Sequence, residues 1–186
     1  MKITGISGSP TAGGNNEKIL GIALEAAEEK GFETENILLS KLNILPCTDC
    51  GVCKKKKECP IDDDMDEIFP ILEDSDAFIV TSPVFFGCLS AQLKALLDRT
   101  VLLRRNGFLL KGKVGGAIAV GGSRNGGQEF TINAIHSWMH IHGMIVVGDM
   151  SHFGGTALKP VESDDVGLKT VKDTVNLMCE TLSRFK

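Results

Sequence analysis

The chain has 186 residues, a formal net charge of −4 and a sequence pI near 5.6. A domain of this length folds without staples, and the acidic balance provides no basic field for nucleic acid. The apolar runs are too short to span a bilayer and no signal peptide is seen, so we expect one soluble, cytoplasmic domain over residues 1–186.

Strand and helix patterns alternate along the chain. Apolar runs predict strands at 1–6, 34–39, 77–81, 114–120 and 144–147, and helical periodicity predicts helices at 16–30, 64–72, 89–103, 128–142 and 164–185. Such alternation predicts an α/β fold, a flavodoxin-like doubly wound five-stranded parallel sheet of order 2-1-3-4-5 in three α/β/α layers. Ligands of these folds lie beyond the carboxyl ends of the strands, so functional residues are expected in the loops there.

The loop after the first strand is rich in small residues. It runs Ser7-Gly8-Ser9-Pro10-Thr11-Ala12-Gly13-Gly14-Asn15-Asn16 and leads into the first helix. Backbone N–H groups, hydroxyls and a helix N-terminus suit a phosphate, although a tight connection without ligand has the same composition. The loop lacks the lysine of a P-loop and the Gly-x-Gly-x-x-Gly of a dinucleotide fold, so those sites fit poorly.

The segment at 47–60 carries four of the six cysteines: Cys47, Cys50, Cys53 and Cys59. Two-residue spacings let neighbouring thiolates converge on one metal centre, and Gly51 permits the tight backbone that this requires. The run is similar to that of bacterial ferredoxins, which also ends in Cys-Pro, and favours an iron–sulfur cluster. Structural zinc, disulfides and unliganded surface cysteines are the alternatives. Cys88 and Cys179 stand apart and are expected to be small buried hydrophobes.

Two further loops follow the third and fourth strands. After Pro83, the first presents Val84, Phe85 and Phe86, and Ser90 can cap the helix that follows. The second, at 121–129, is glycine-rich and can bring backbone N–H groups to the polar edge of a ring. Core aromatics and a flexible loop are the ordinary alternatives. Three such loops at one sheet edge favour a flat, phosphate-bearing ligand.

These motifs together resemble a known family. Gly-Ser-Pro…Gly-Asn before the first helix, Asp-Asp-Met after the cysteines, Ser-Pro-Val-Phe-Phe-Gly…Ser-Ala-Gln-Leu-Lys…Asp-Arg and Gly-Gly-Ser-Arg…Gly-Gly-Gln-Glu are similar to the NADPH-dependent FMN reductase-like branch of flavodoxin-like proteins. The four cysteines narrow the resemblance to the iron–sulfur flavoprotein family. The resemblance covers nearly the whole chain and implies FMN, a [4Fe–4S] cluster on the four cysteines, and a homodimer or homotetramer that completes the flavin pocket.

The resemblance also implies the FMN contacts. The implied contacts of the phosphate are Ser7, Ser9, Thr11, Asn15 and Asn16. Those of the isoalloxazine are Pro83, Val84, Phe85, Phe86 and Gly87. The pyrimidine edge is expected near Gly121, Gly122, Ser123 and Arg124. Relatives often carry Arg where Thr11 stands, Tyr where Phe85 stands and Thr where Asn16 stands. One charged partner of the phosphate is therefore missing from this loop.

The sequence thus predicts an electron-transfer flavoprotein with FMN and a [4Fe–4S] cluster. It would take electrons from a ferredoxin-like donor and pass them via FMN to an unidentified small-molecule acceptor. The residues 54–57 are lysines that could dock an acidic ferredoxin or simply form a solvated loop. No catalytic side chain is predicted, because FMN carries the chemistry, and His136 and His140 are interpreted as ordinary helix-face histidines.

Two alternatives stay open at this point. The first is an NAD(P)H-dependent FMN reductase, or a quinone or nitro reductase, with structural zinc or a vacant cysteine loop. The second is a redox-inert binding module whose zinc loop serves a protein partner. Metal and flavin content separates these hypotheses, and none of them involves nucleic acid or a membrane.

Overall fold

The computed structural model describes residues 1–185 as a parallel sheet between two layers of helices. The strands are β1 Lys2–Ser7, β2 Glu33–Leu38, β3 Ala77–Pro83, β4 Val114–Gly121, β5 Ile145–Val147 and β6 Gly155–Leu158. The helices are α1 Asn15–Glu28, α2 Met65–Asp74, α3 Ala91–Arg99, α4 Val101–Arg105, α5 Gln128–Ile141 and α6 Asp165–Ser183. The strand order β2-β1-β3-β4-β5 confirms the predicted flavodoxin-like topology.

The fifth position of the sheet is shared by two short strands. β5 pairs with residues 114–116 of β4, and β6 pairs with residues 118–121, both in parallel. Only β5 was predicted from the sequence. Between β5 and β6 the chain leaves the sheet in a loop. The carboxylate of Asp149 stabilises this loop, because it accepts backbone hydrogen bonds from Ser151, at 3.1 Å, and from His152.

Two apolar cores lie on opposite faces of the sheet. α1 and α6 cover one face with Ile19, Leu20, Val171 and Val175. α2, α3 and α5 cover the other face with Ile68, Leu72, Leu93, Leu96, Ile132 and Ile135. β3 and β4 are buried along their whole length, as their apolar runs predicted. Among the described residues, no helix combines the length and the apolar composition needed to cross a bilayer.

The helix predicted at 89–103 is divided in the structure. Thr100 separates α3 from α4, and its hydroxyl donates to the Leu97 carbonyl at 2.6 Å. The same oxygen accepts from Trp138 Nε1 at 2.8 Å and lies 2.9 Å from His142 Nε2. Because the hydroxyl already donates to Leu97, His142 Nε2 is the donor in the last contact. Thr100, Trp138 and His142, which are far apart in sequence, therefore form a buried polar network at the boundary between α3 and α4.

Candidate functional site

Ser90 locks the loop after β1 onto β3 and α3. Its Oγ accepts from Leu93 N at 3.1 Å, which confirms the predicted cap, and donates to the Gly8 carbonyl at 2.5 Å. The backbone N–H of Ser90 donates to Ser82 Oγ at 3.1 Å, and that of Gly8 donates to Thr81 O at 2.8 Å. A Cβ on Gly8 would lie 2.8 Å from the Leu93 Cβ, so only glycine permits this close approach.

A cavity of about 220 Å³ opens at the carboxyl ends of β1, β3 and β4. Most of the predicted cofactor contacts line it, from all three loops: Ser9, Thr11, Asn15, Asn16, Pro83, Val84, Phe85, Gly121 and Gly122. The structure therefore brings the three loops together around one space, at the sheet edge where the topology places ligands.

The other predicted contacts do not line this cavity. Ser7 is buried, Phe86 is fully exposed, and Gly87 follows it in the same turn. The carbonyl of Ser123 accepts from Gln128 Nε2 at 2.8 Å. Arg124 lines a neighbouring cavity instead, and its guanidinium lies 4.0 Å from the carboxylate of Asp164.

Two polar atoms of the first loop are buried without a partner among the described residues. They are Ser7 Oγ and Asn16 Oδ1. Such groups are nearly always paired in folded proteins, and leaving one unpaired costs roughly 1–3 kcal/mol. A hydroxyl can donate to a phosphate oxygen, and an amide oxygen can accept from a sugar-chain hydroxyl. The loop therefore fits a phosphate ester that carries a hydroxylated chain.

Lys159 also lines this cavity, and sequence reasoning missed it. It directly follows β6, and its backbone N–H donates to the Gly121 carbonyl at 3.2 Å. The next turn is held to the first loop by a 3.0 Å hydrogen bond from Val161 N to Asn15 Oδ1. A cation just after a strand was the available signal, but β6 itself was not predicted, so Lys159 had no place at the site.

The four predicted metal ligands surround a second, small cavity. Cys47 and Cys50 are exposed, whereas Cys53 and Cys59 are half-buried. Gly51 adopts the left-handed conformation, with φ of 78°, that its place between two cysteines suggested. Within residues 1–185, no group of three or more His, Cys, Asp or Glu side chains is arranged to hold a single metal ion. The four thiols are thus gathered around one space rather than on one point.

Two arginines accompany the cysteines in this cavity. Arg105 Nη1 donates to Cys53 Sγ at 3.0 Å, and its Nη2 lies 3.8 Å from the Asp49 carboxylate. The hydrogen bond to Cys53, together with the nearby negative charges, raises the pKa of the Arg105 guanidinium. Asn106 Nδ2 donates to the Cys53 carbonyl at 3.2 Å. Thiolates beside guanidinium groups are a donor set suited to an iron–sulfur centre, whose properties depend on hydrogen bonds to sulfur.

Arg99 holds the base of the cysteine segment. Its fully buried guanidinium donates to both carboxylate oxygens of Asp63, at 2.6 and 3.1 Å, and to the Leu45 carbonyl at 2.9 Å. Burial alone would raise the pKa of Asp63, but hydrogen bonds from Arg99, Leu45 N and Met65 N lower it overall. Burial alone would lower the pKa of the Arg99 guanidinium. Hydrogen bonds and charge interactions with Asp63 and Cys59 outweigh this effect, so the pKa of Arg99 is raised. This explains the Asp-Asp-Met motif after the cysteines, because Asp63 fixes both ends of the segment.

A wide groove of about 960 Å³ connects the surroundings of the two sites. Cys47 and Asp49 of the cysteine segment line it, together with Phe85, Cys88 and Trp138. Phe85 also lines the smaller cavity described above. The structure therefore places the cysteine segment and the ring-facing loop around one surface. Cys179 is buried as predicted, but Cys88 is exposed in the turn after Phe85, so that expectation was wrong.

The lysine run at 54–57 is only partly free. Lys56 Nζ lies 2.5 Å from Glu58, and Lys57 Nζ lies 2.6 Å from Glu73. Lys54 and Lys55 are exposed and take part in no ion pair among residues 1–185. Two charges, rather than four, are available at this surface.

The chain also matches known proteins along most of its length. The family model of the NADPH-dependent FMN reductases matches residues 1–157. An iron–sulfur flavoprotein of Methanosarcina thermophila is 59% identical over 182 residues, which cover 98% of this chain and 95% of the relative. The chain belongs to the iron–sulfur flavoprotein family. A relative of the same name from Methanocaldococcus jannaschii is 47% identical over 193 residues and covers both chains fully.

The iron–sulfur flavoprotein family shares its fold with more distant proteins. A solved structure of a flavodoxin, WrbA-like protein from Agrobacterium tumefaciens superimposes with a TM-score of 0.72 at 15% identity, covering 100% of this chain and 98% of that chain. This likeness shows the fold alone. Membership of the family confirms the predicted flavin-dependent oxidoreductase, and the predicted FMN and iron–sulfur cluster agree with the family names.

Proposed function

We propose that the protein is an electron-transfer flavoprotein that binds FMN beyond β1, β3 and β4 and a [4Fe–4S] cluster on Cys47, Cys50, Cys53 and Cys59. The observation that carries this proposal is that the cysteine segment and Phe85 line one groove. When bound, FMN exchanges one or two electrons and a cluster exchanges one at a time. The names of the family and of its relatives support both cofactors.

In this proposal the chain binds and orients the cofactors and supplies no catalytic side chain. Ser9, Thr11 and Asn16 of the cavity lining hold the phosphate and the sugar chain, and the buried Ser7 Oγ of the same loop is a further unpartnered donor. The apolar surface of residues 83–85 and the backbone at 121–122 face the ring. Asn15 has mainly a structural role, because its Oδ1 accepts from the Val161 N–H.

The proposed partners follow from the exposed surfaces. A ferredoxin-like donor would meet the cysteine segment, where Lys54 and Lys55 carry free positive charge. A small-molecule acceptor would reach the flavin from the groove. We further propose that residues 1–186 act as one domain in the cytoplasm, as a homodimer or homotetramer that buries the exposed Phe85 and Phe86.

The second candidate function is an NAD(P)H-dependent FMN reductase with zinc in the cysteine segment. The description of the matching family as NADPH-dependent supports it. Anaerobic purification followed by iron, acid-labile sulfide, zinc and FMN assays on one sample decides between the two. We expect about four iron and four sulfide per chain with one FMN, as a [4Fe–4S] flavoprotein requires. Zinc without iron would favour the reductase, and failure to bind added FMN would favour a binding module.

Replacing Cys50 with serine tests the cluster ligands. Cys50 is exposed and outside both apolar cores, so Cys50→Ser should leave the fold intact. We expect the variant to lose most of its iron and sulfide while FMN remains at about one per chain. Cys88→Ser is the matched control, because Cys88 is also exposed but lies outside the cysteine segment. Equal iron content in the two variants would exclude the four-cysteine site.

Replacing Arg105 tests the charge beside the cluster ligands. Arg105→Gln removes the guanidinium that lies 3.0 Å from Cys53 Sγ. We expect the midpoint potential of the cluster to fall by something on the order of tens of millivolts, because loss of a nearby cation disfavours the more negative, reduced state. The measurement is a redox titration followed by electron paramagnetic resonance. Arg104→Gln is the control, since Arg104 packs over Phe108 and donates to the Ile141 carbonyl, and within residues 1–185 it has no hydrogen bond to a cysteine. An equal fall in both variants would contradict the assignment.

A further inference from the structure

Among residues 1–185, Lys159 provides the single cationic side chain in the lining of the cavity proposed for FMN. We propose that the Lys159 ammonium binds the FMN phosphate and makes the site select FMN over riboflavin. This inference rests on the proposed function, because it requires FMN in that cavity. Lys159 lies outside the phosphate loop, residues 7–16, and directly follows β6 at the other side of the sheet.

The position of Lys159 is fixed by backbone contacts on both sides. Its N–H donates to the Gly121 carbonyl at 3.2 Å, which attaches it to the end of β4. Val161 N donates to Asn15 Oδ1 at 3.0 Å, which attaches the same segment to the first turn of α1. The ammonium reaches toward Gly122, where it lies 3.6 Å from the position that a Cβ would occupy. Lys159 is therefore held between the glycine loop and the phosphate loop.

The phosphate loop needs a positive charge from elsewhere. Residues 7–16 contain no lysine or arginine, whereas the phosphate of FMN carries close to two negative charges. The carboxylate of Glu17 accepts from the Gly13 N–H at 2.6 Å, so one loop donor is occupied and a negative charge lies beside the site. The helix N-terminus offsets only part of this repulsion. A free cation at the cavity would complete the charge balance.

Lys159 is the cation near this cavity that remains available to bind a phosphate. Lys18 lies 2.5 Å from Glu162, and Arg124 lies 4.0 Å from Asp164, so both already have carboxylate partners. Lys159 is exposed and takes part in no ion pair among residues 1–185. An ammonium without a carboxylate partner can meet an incoming dianion without first breaking a protein contact.

The test compares two ligands that differ only in the phosphate. Apoprotein is titrated with FMN and with riboflavin, and binding is followed by quenching of flavin fluorescence, for the original chain and for Lys159→Met, Lys159→Arg and Lys172→Met. Lys172 is an exposed lysine of α6 outside the cavity and serves as the matched control. Thermal unfolding of each apoprotein shows that the variants are folded.

We expect Lys159→Met to weaken FMN binding by about 10-fold to 100-fold and riboflavin binding by less than about twofold, as loss of a direct charge pair predicts. The Lys159→Arg variant should restore most of the FMN affinity, and added salt should weaken FMN binding less in Lys159→Met than in the original chain. Equal weakening of both flavins, or no weakening of FMN, would overturn the inference. If the original apoprotein binds neither flavin, the proposed function itself fails, and the inference fails with it.

Discussion

Replacing Asp63 with asparagine is expected to lower the free energy of unfolding by about 3–5 kcal/mol, the usual cost of leaving one member of a buried ion pair uncompensated. The side chains of Arg99 and Asp63 are 1% and 0% exposed, so solvent does not screen the guanidinium that remains. Asp63→Asn also removes the charge that holds both the Leu45 N–H and Arg99. The measurement is urea unfolding of the iron-free protein, followed by circular dichroism.

The Asp63 prediction has a matched control on the same arginine-bearing helix. Asp98 pairs with Lys94 at 2.6 Å, but its side chain is 48% exposed, so Asp98→Asn should change stability by no more than about 1 kcal/mol. A double variant in which both Arg99 and Asp63 become apolar should recover much of the loss, because no buried charge is then left unpaired. Equal unfolding free energies for Asp63→Asn and Asp98→Asn would show that the buried pair does not stabilise the cysteine segment.

The largest effect of pH on stability is expected between about pH 6.5 and about pH 4. Burial, together with His140 in one case and Arg104 in the other, lowers the pKa of His136 and of His142 from 6.5 to about 4. As the pH falls through this window, the unfolded chain takes up protons that the folded chain refuses. The contribution of these histidines to the free energy of unfolding is therefore constant above this window, and it falls within the window by roughly 3 kcal/mol for each histidine.

A substitution of His136 isolates one half of this effect. His136 is 8% exposed and its Nε2 has no hydrogen-bond partner among the described residues, so His136→Leu removes the titration without breaking a contact of that atom. We expect the loss of stability between about pH 6.5 and 4 to shrink by about half in urea unfolding at several pH values. His140→Leu, on the exposed side of the same helix, should keep most of the original pH dependence, because burial is the larger cause of the lowered pKa of His136. An unchanged slope in His136→Leu would contradict the assignment.

Carboxylates act in a separate and lower window. Burial alone would raise the pKa values of Asp63 and Asp149, but both are lowered from 3.8. Hydrogen bonds from Arg99 and two backbone N–H groups lower the pKa of Asp63, and those from His152 and Ser151 lower the pKa of Asp149. Their stabilisation is complete above that ordinary value and is lost as the pH falls through the lowered one. The histidine effect can thus be measured before the carboxylates are protonated.

Much of the site was predictable because its signals are local. The almost wholly apolar stretches at 77–81 and 114–120 indicated a buried parallel sheet, and the rule that ligands meet the carboxyl ends of strands then located the three loops. Ser90 was recognisable as a helix cap from its place before an amphipathic run. The interpretation of His136 as an ordinary helix-face histidine missed its burial, since α5 also buries polar residues such as Gln128 and Thr131.

The residues that sequence reasoning missed act through distant partners. Arg105 meets Cys53, 52 positions away, and Arg99 meets Leu45, 54 positions away. Spacing offered one hint, because Arg99 falls three residues after the buried Leu96 and so shares its apolar face. Lys159 had no hint of this kind, since a four-residue strand pairing with β4 brings it to the cavity.

By itself, the sequence determined the alternation of strands and helices, the three ligand-facing loops and the four clustered thiols, because each depends on residue types within a few positions of one another. Only the tertiary structure decided which charges stand beside them. Arg99, Arg105 and Lys159 reach the two sites from other helices and from the far sheet edge, and the contacts that place them arise when remote segments pack together.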